Sequence, residues 1–233
     1  MGEGEEQVKV LSQWPSPFAI RVLIGLEEKG VRYEDQEENF ASKTELLLQM
    51  NPVHKKVPVL IHNGKPVCES LIILQYIDEV WPGSNSFMPS NPYDRALAKF
   101  WADFLDTKFL GNAILGILKT TGEAQEEGKR YMLEYLGLLE GVLKELSAGG
   151  SKPYFGGKYF GFLDIAFICH TCWFHTMETL GKWKIPWESE FPRLQKWVKK
   201  CMERESVNKI LPDPRKVLEH AIEVRKGYVS STD

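Results

Sequence analysis

Ser16 stands directly before Pro17 in the stretch Trp14-Pro15-Ser16-Pro17-Phe18. Serine suits a helix N-cap and proline the first helical position, so Ser16 is expected to cap a helix. A hydroxyl held there has a second use. It can donate a hydrogen bond to the thiolate of a bound ligand, at a helix end that itself favours the anion. No Gly-x-Ser-x-Gly elbow surrounds it, so it does not read as a hydrolase nucleophile. Val57-Pro58 opens an apolar run. Pro58 is either an edge-strand proline or part of a cis peptide that exposes the backbone N–H and C=O of Val57. Glu69-Ser70 precedes another apolar helical stretch, and Ser70 is the expected N-cap. A helix N-terminus beside a carboxylate suits a ligand bearing both a carboxylate and an ammonium, as an α-amino acid head group does. Lys43, Lys55 and Lys56 lie in loops nearby in sequence. They read either as solvated surface or as partners of a second carboxylate on the same ligand.

Cys169-His170-Thr171-Cys172 has the spacing of a redox or zinc pair. It lies inside an apolar helical stretch, far from any strand, and no second ligand pair is spaced for zinc. Packing cysteines are the expected reading, and no metal site is expected.

The elements that must position these residues change type along the chain. Val8, Val10 and Leu11 form a strand, Ser16 to Lys29 a helix with Gly30 as its stop, and Val31 to Glu34 a half-buried strand. In that helix Arg21, Glu27, Glu28 and Lys29 are assigned to solvent. Thr44 to Met50 is a short helix. Val57–Ile61 and Pro66–Cys68 flank Asn63-Gly64, a strong hairpin signal. A helix then follows from Ser70. The position of Pro58, opening the third strand after βαβα, is where thioredoxin-like folds carry a cis-proline loop. Beyond a turn-rich linker at residues 84–92 the period becomes helical throughout. Expected helices are Tyr93 to Leu118, Glu123 to Leu146, a very apolar Leu163 to Leu180, Phe191 to Glu203, Val207 to Leu211 and Arg215 to Lys226. The expected domains are therefore 1–83, α/β, and 93–233, all-helical.

Composition sets the outer limits. The 233 residues carry 29 basic and 32 acidic side chains, a net charge of −3. The basic face that nucleic acid usually requires is not expected. No stretch approaches the roughly 18 uncharged apolar residues of a membrane helix. The acidic start, Met1-Gly2-Glu3-Gly4-Glu5-Glu6, is unlike a secretory or transit signal, so a cytoplasmic protein is expected. Aromatic residues make up 12% of the chain, enough to line a pocket as well as fill a core.

Trp14 to Arg21, Asn51 to Leu60 and Glu69 to Ile73, together with Tyr154-Phe155-Gly156-Gly157, Asp164 and Trp173-Phe174, resemble the plant tau-class glutathione transferases over nearly the whole chain. The resemblance implies a thioredoxin-like domain (βαβαββα) followed by an all-helical domain. It implies glutathione as co-substrate, with no further cofactor, and conjugation of its thiolate to apolar electrophiles in detoxification and stress response. By the same resemblance Ser16 supports the thiolate, and Lys43 and Lys56 hold the glycine carboxylate. Val57 pairs its backbone with the cysteinyl unit, and Glu69 and Ser70 hold the γ-glutamyl head. Asp164 becomes a structural helix cap whose reciprocal box is left incomplete by Gly161. The electrophile pocket is implied between the domains, with Phe18, Leu110, Ile114, Ile117, Trp173 and Leu211 as candidate walls. The stripe Leu110, Ile114, Ile117 serves equally as core. Hydroperoxide reduction by the same thiolate, and a non-catalytic carrier of apolar ligands, are the alternative functions. A homodimer is implied, with Glu79 and Arg95 either paired between subunits or solvated.

Overall fold

The computed structural model describes residues 6–39, 42–83 and 86–229. Residues 1–5 of the acidic start, and Ser84 and Asn85 of the expected linker, lie outside that set. The chain divides into two compact units, Met1–Phe87 and Met88–Asp233.

In the first unit, β1 (Val8–Ser12), α1 (Pro17–Lys29), β2 (Glu34–Glu37), α2 (Glu45–Met50), β3 (Val59–His62), β4 (Lys65–Cys68) and α3 (Ser70–Val80) follow in that order. The sheet order is β2-β1-β3-β4, with β1–β2 parallel and the other two pairs antiparallel. Leu11, Leu47, Val59 and Ile61 pack together as a core cluster. The Asn63-Gly64 turn has positive φ at both residues, as a two-residue hairpin demands.

Three local expectations are corrected. The second strand is Glu34–Glu37 rather than Val31–Glu34. Val31 instead completes the end of α1: its N–H donates to Leu26 O while that of Gly30 donates to Glu27 O, a Schellman closure. The strand is a polar edge strand, set by pairing with β1 rather than by its own apolar pattern. Second, Ser70 does not cap α3. It is the first helical residue, and Glu69 is the cap, at φ 70° with no side-chain capping bond. Third, Arg21 is fully buried, not solvent-facing.

The second unit contains α4 (Pro92–Phe104), a π-helical segment (Leu105–Ile114), α5 (Leu115–Lys119), α6 (Gly122–Leu146), α7 (Phe162–Ile168), a 3₁₀ turn (Thr171–Trp173), α8 (Phe174–Gly181), α9 (Trp187–Glu190), α10 (Pro192–Met202), α11 (Glu205–Ile210) and α12 (Pro214–Val229). The long first helix is thus interrupted by π geometry, where Asn112 Nδ2 donates to Tyr135 Oη of α6 at 3.0 Å. The helices α5 and α6 approach closely at Gly128, where any Cβ would lie 2.9 Å from the Ile117 backbone nitrogen. The expected single helix from Leu163 to Leu180 is two. Between them, Thr171 Oγ1 donates to Ile168 O, and the Cys169 and Cys172 thiols donate to Ala166 O and Cys169 O. Side-chain donors compete there for carbonyls that a continuous helix would use.

Asp164, on α7, is fully buried and accepts four hydrogen bonds. They come from the N–H of Phe155, Gly156 and Gly161 and from Trp197 Nε1, at 2.9, 3.0, 3.0 and 2.7 Å. The Gly161 bond is the half of a capping box that glycine permits. Burial raises the proton affinity of this carboxyl, and the four N–H donors act against that rise.

Candidate functional site

One end of the sheet gathers the chemistry-bearing residues of the first unit. Leu11, Val59 and Cys68 lie in one row across β1, β3 and β4. Beyond that row β1 leads to Ser16, β3 is entered from Val57-Pro58, and β4 leads to Glu69-Ser70. Topology therefore places three segments, 41 and 12 positions apart in sequence (Ser16, Val57 and Glu69), at one edge.

Ser16 caps α1 with extended backbone. Its Oγ accepts a long 3.4 Å bond from the Ala19 N–H, and its own hydroxyl proton makes no bond to a described residue. Half-buried Phe18 stands two residues on, with the Arg21 guanidinium 5.6 Å from its ring centroid. Val57-Pro58 is a cis peptide. Among the described residues, the Val57 backbone N–H and C=O make no hydrogen bond.

Arg21 Nη1 donates to Ser70 Oγ at 2.9 Å within the protein interior. That bond leaves the Ser70 proton available to a ligand. It also puts a buried positive charge behind the N-terminus of α3, reinforcing the helix end as an anion site. Glu69, exposed and in a backbone region that non-glycine residues seldom adopt, lies beside them with His54 Nε2 3.8 Å from its carboxylate. Strain of that kind accumulates at ligand sites.

The lysine loops are held from within. Asn51 is buried: its Oδ1 accepts from the His54 N–H at 3.1 Å and its Nδ2 donates to Lys56 O at 2.9 Å. Glu38, also buried, accepts from the backbone N–H of Thr44 at 3.1 Å and from its hydroxyl at 2.6 Å. Lys43 is thereby set at the mouth of α2, with its side chain exposed, as are those of Lys55 and Lys56.

The helical unit carries the other candidates. Ile114, Ile117 and Trp173 are buried, whereas Leu110 and Leu211 keep partial exposure. Cys169 and Cys172 are buried thiols, and burial pushes that of Cys172 well above the ordinary thiol range, disfavouring the thiolate. Among the described residues no cluster of His, Cys, Asp and Glu has the makings of a metal site.

Comparison with known proteins shows the family. Residues 6–79 match the glutathione S-transferase N-terminal domain and residues 97–205 the C-terminal domain. Glutathione S-transferase U19 of Arabidopsis thaliana is 53% identical over 96% of this chain and 98% of its own. The tau class glutathione S-transferase of mango, Mangifera indica, superposes with a TM-score of 0.89 at 45% identity, over 94% of this chain and 98% of its own. The chain belongs to the tau-class glutathione S-transferases. A rice relative, solved in complex with glutathione, is 38% identical with a TM-score of 0.87 over 97% of this chain and 99% of its own. The transferase is thus an enzyme that conjugates glutathione, its co-substrate, and it has the thioredoxin-like and all-helical domains of the family.

Sequence reasoning passed over three buried polar residues that hold Ser70 and these loops. Arg21 sits in an amphipathic helix among charged residues, and only its contact across 49 positions marks it. Glu38 lies in a polar stretch that reads as loop. For Asn51 a signal was present, since Asn-Pro after a helix marks a turn, but its bonds to the lysine loop depend on the folded backbone.

Proposed function

We propose that the transferase binds glutathione along the sheet end of its first unit and that Ser16 stabilises the thiolate. Ser70 and Glu69 take the γ-glutamyl carboxylate and ammonium. Val57 pairs its backbone with the cysteinyl unit, and Lys43 and Lys56 attract the glycine carboxylate. The observation that carries this reading is the convergence of three features on one edge: the uncommitted Ser16 hydroxyl, the unpaired Val57 backbone and the Arg21–Ser70 pair. In conjugation the thiol proton passes to solvent and the sulfur lone pair forms the new C–S bond. In a displacement, the leaving group departs with its electron pair. Binding next to an apolar surface supplies proximity, and the hydroxyl and helix end supply the anion stabilisation. Phe18 on the first unit, and Leu110 and Leu211 on the second, retain exposure and are each proposed as electrophile contacts; Ile114, Ile117 and Trp173 lie deeper within the second unit.

Titration of the bound thiol by its thiolate absorbance tests the assignment. Free thiols ionise near 8.5, and the bound one is expected at least about one unit lower. Equal midpoints for bound and free glutathione would remove the proposed role.

Arg21→Met is expected to raise KM for glutathione about tenfold or more while changing kcat at saturation little, because a hydrogen bond to a charged group contributes about 1.5–3 kcal/mol. Initial rates at varied glutathione read this directly. A fall in kcat with KM unmoved would show that Arg21 only supports packing.

The same reading makes the protein a cytoplasmic homodimer of domains 1–83 and 93–233, joined at 84–92. Exposed apolar side chains on the separate units, Val53 at 80%, Tyr93 at 69% and Phe100 at 60%, support association. Sedimentation at micromolar concentration should give twice the 26.7 kDa chain mass, and a monomer would dismiss the dimer. Fractionation of expressing cells checks the compartment.

A further inference from the structure

Glu38, the residue after β2, is a carboxylate only 5% exposed. Its backbone is fixed to β1, because its N–H donates to Ser12 O at 2.9 Å. Its side chain reaches six residues on. One oxygen accepts from the Thr44 N–H at 3.1 Å and the other from the Thr44 hydroxyl at 2.6 Å. Gln36 Nε2 approaches that second oxygen at 3.5 Å. Among the described residues no cation pairs with Glu38.

A carboxylate taken out of water without a counter-charge costs free energy that an apolar side chain would not. Capping of α2 does not require it, since Thr44 caps that helix itself: Thr44 Oγ1 accepts from the Leu47 N–H at 3.2 Å. What Glu38 adds is a two-point tie between the β1–β2 edge and the entry to α2. Lys43 is the residue directly before that tie, and its side chain is exposed. An exposed ion pair gains little, because ordering a long side chain offsets a screened attraction. Fixing the backbone beforehand removes part of that ordering from the binding step. Lys56 is tied down independently, by the Asn51 amide that donates to its carbonyl at 2.9 Å.

We propose that Glu38 is a positioning residue, acting through Thr44 and Lys43, that makes the site select γ-glutamyl tripeptide thiols with a free C-terminal carboxylate over those in which that carboxyl is esterified. The inference rests on the reading that Lys43 attracts the glycine carboxylate of glutathione.

Initial rates of conjugation to a chlorodinitrobenzene, with glutathione or its glycine monoethyl ester as the thiol, test this in the full chain. The readout is the ratio of kcat/KM for the two thiols, from which a general loss of folded protein cancels. Lys43→Met sets the scale: it should cut the preference for glutathione by about threefold to fivefold, the upper range for an exposed ion pair. Glu38→Gln keeps the shape, but its amide nitrogen cannot accept a hydrogen bond, and it should cut the preference about threefold. Added to Lys43→Met it should cut the preference no further. Thr44→Val, which lacks the hydroxyl, should act in the same direction, and Thr44→Ser should keep the wild-type ratio. An unchanged ratio in Lys43→Met overturns the reading of Lys43 and this inference with it. A reduced ratio in Lys43→Met beside an unchanged one in Glu38→Gln, or an additive loss in the double variant, overturns the inference about Glu38 alone. Should Glu38→Gln fail to fold, an unchanged ratio in Thr44→Val overturns it equally.

Discussion

Ser16→Ala is expected to lower kcat/KM by about 10²-fold near pH 6.5, since loss of a single donor to a catalytic anion costs about 10²–10³ in rate. The Ser16 hydroxyl has a proton to give because its oxygen accepts the Ala19 N–H and the proton itself goes to no described residue. If the hydroxyl lowers the thiol pKa, its removal raises the midpoint of the bound thiol, and the deficit should depend on pH. Below both midpoints each unit of rise lowers the thiolate fraction tenfold. Above both midpoints wild type and variant are fully ionised, so the deficit shrinks as pH rises. A loss of equal size at every pH between 6 and 9.5 would contradict the assignment. Alanine also removes a helix cap, at a stability cost of about 1 kcal/mol, whereas glycine at an N-cap costs only a few tenths. Ser16→Gly should therefore lose the same rate while melting close to wild type. That result separates the chemical role of the hydroxyl from its structural one.

Asp164→Ala is expected to destabilise the helical unit by about 4 kcal/mol or more. Four donors converge on this carboxylate, three from the backbone of 155–161 and one from Trp197 on α10. Each buried group left without its partner costs about 1–3 kcal/mol. The Trp197 ring also stacks on Phe167 of α7, with centroids 4.9 Å apart, so lost anchoring would loosen both helices. At about 2–4 °C per kcal/mol for a protein of this size, melting should fall by about 10 °C. Asp164→Asn keeps the shape but offers one acceptor oxygen where the carboxylate offers two, and it should lie between. A fall of less than about 3 °C in Asp164→Ala, followed by circular dichroism, would mean that the donors find other partners.

Much of the candidate site was legible because its signals are local. Ser16-Pro17 caps and starts α1 through bonds within one helical turn, and Gly30 ends it with a left-handed residue. Asn63-Gly64 closes the hairpin by the positive φ that those two residues tolerate. Glu69-Ser70 was correctly placed at the start of α3, but their parts in the cap were exchanged. Ser70 is drawn inward by Arg21, which lies 49 residues away and which an amphipathic reading assigns to water. The apolar run from Leu163 read as one buried helix. Apolarity reports burial but not continuity, and the side chains of Thr171 and the two cysteines divide it.

What the sequence by itself determined was the order of elements, the change from α/β to all-helical near residue 90, and the segments proposed to bear the chemistry. These follow from caps, turns and periodicity, each decided by a few neighbouring residues. Tertiary structure alone decided which of those segments share an edge, that Arg21 and Asn51 stand behind them, and that β2 is a polar edge strand. Each of these depends on partners far apart in the chain, whose meeting is set by strand register and helix packing rather than by any local preference.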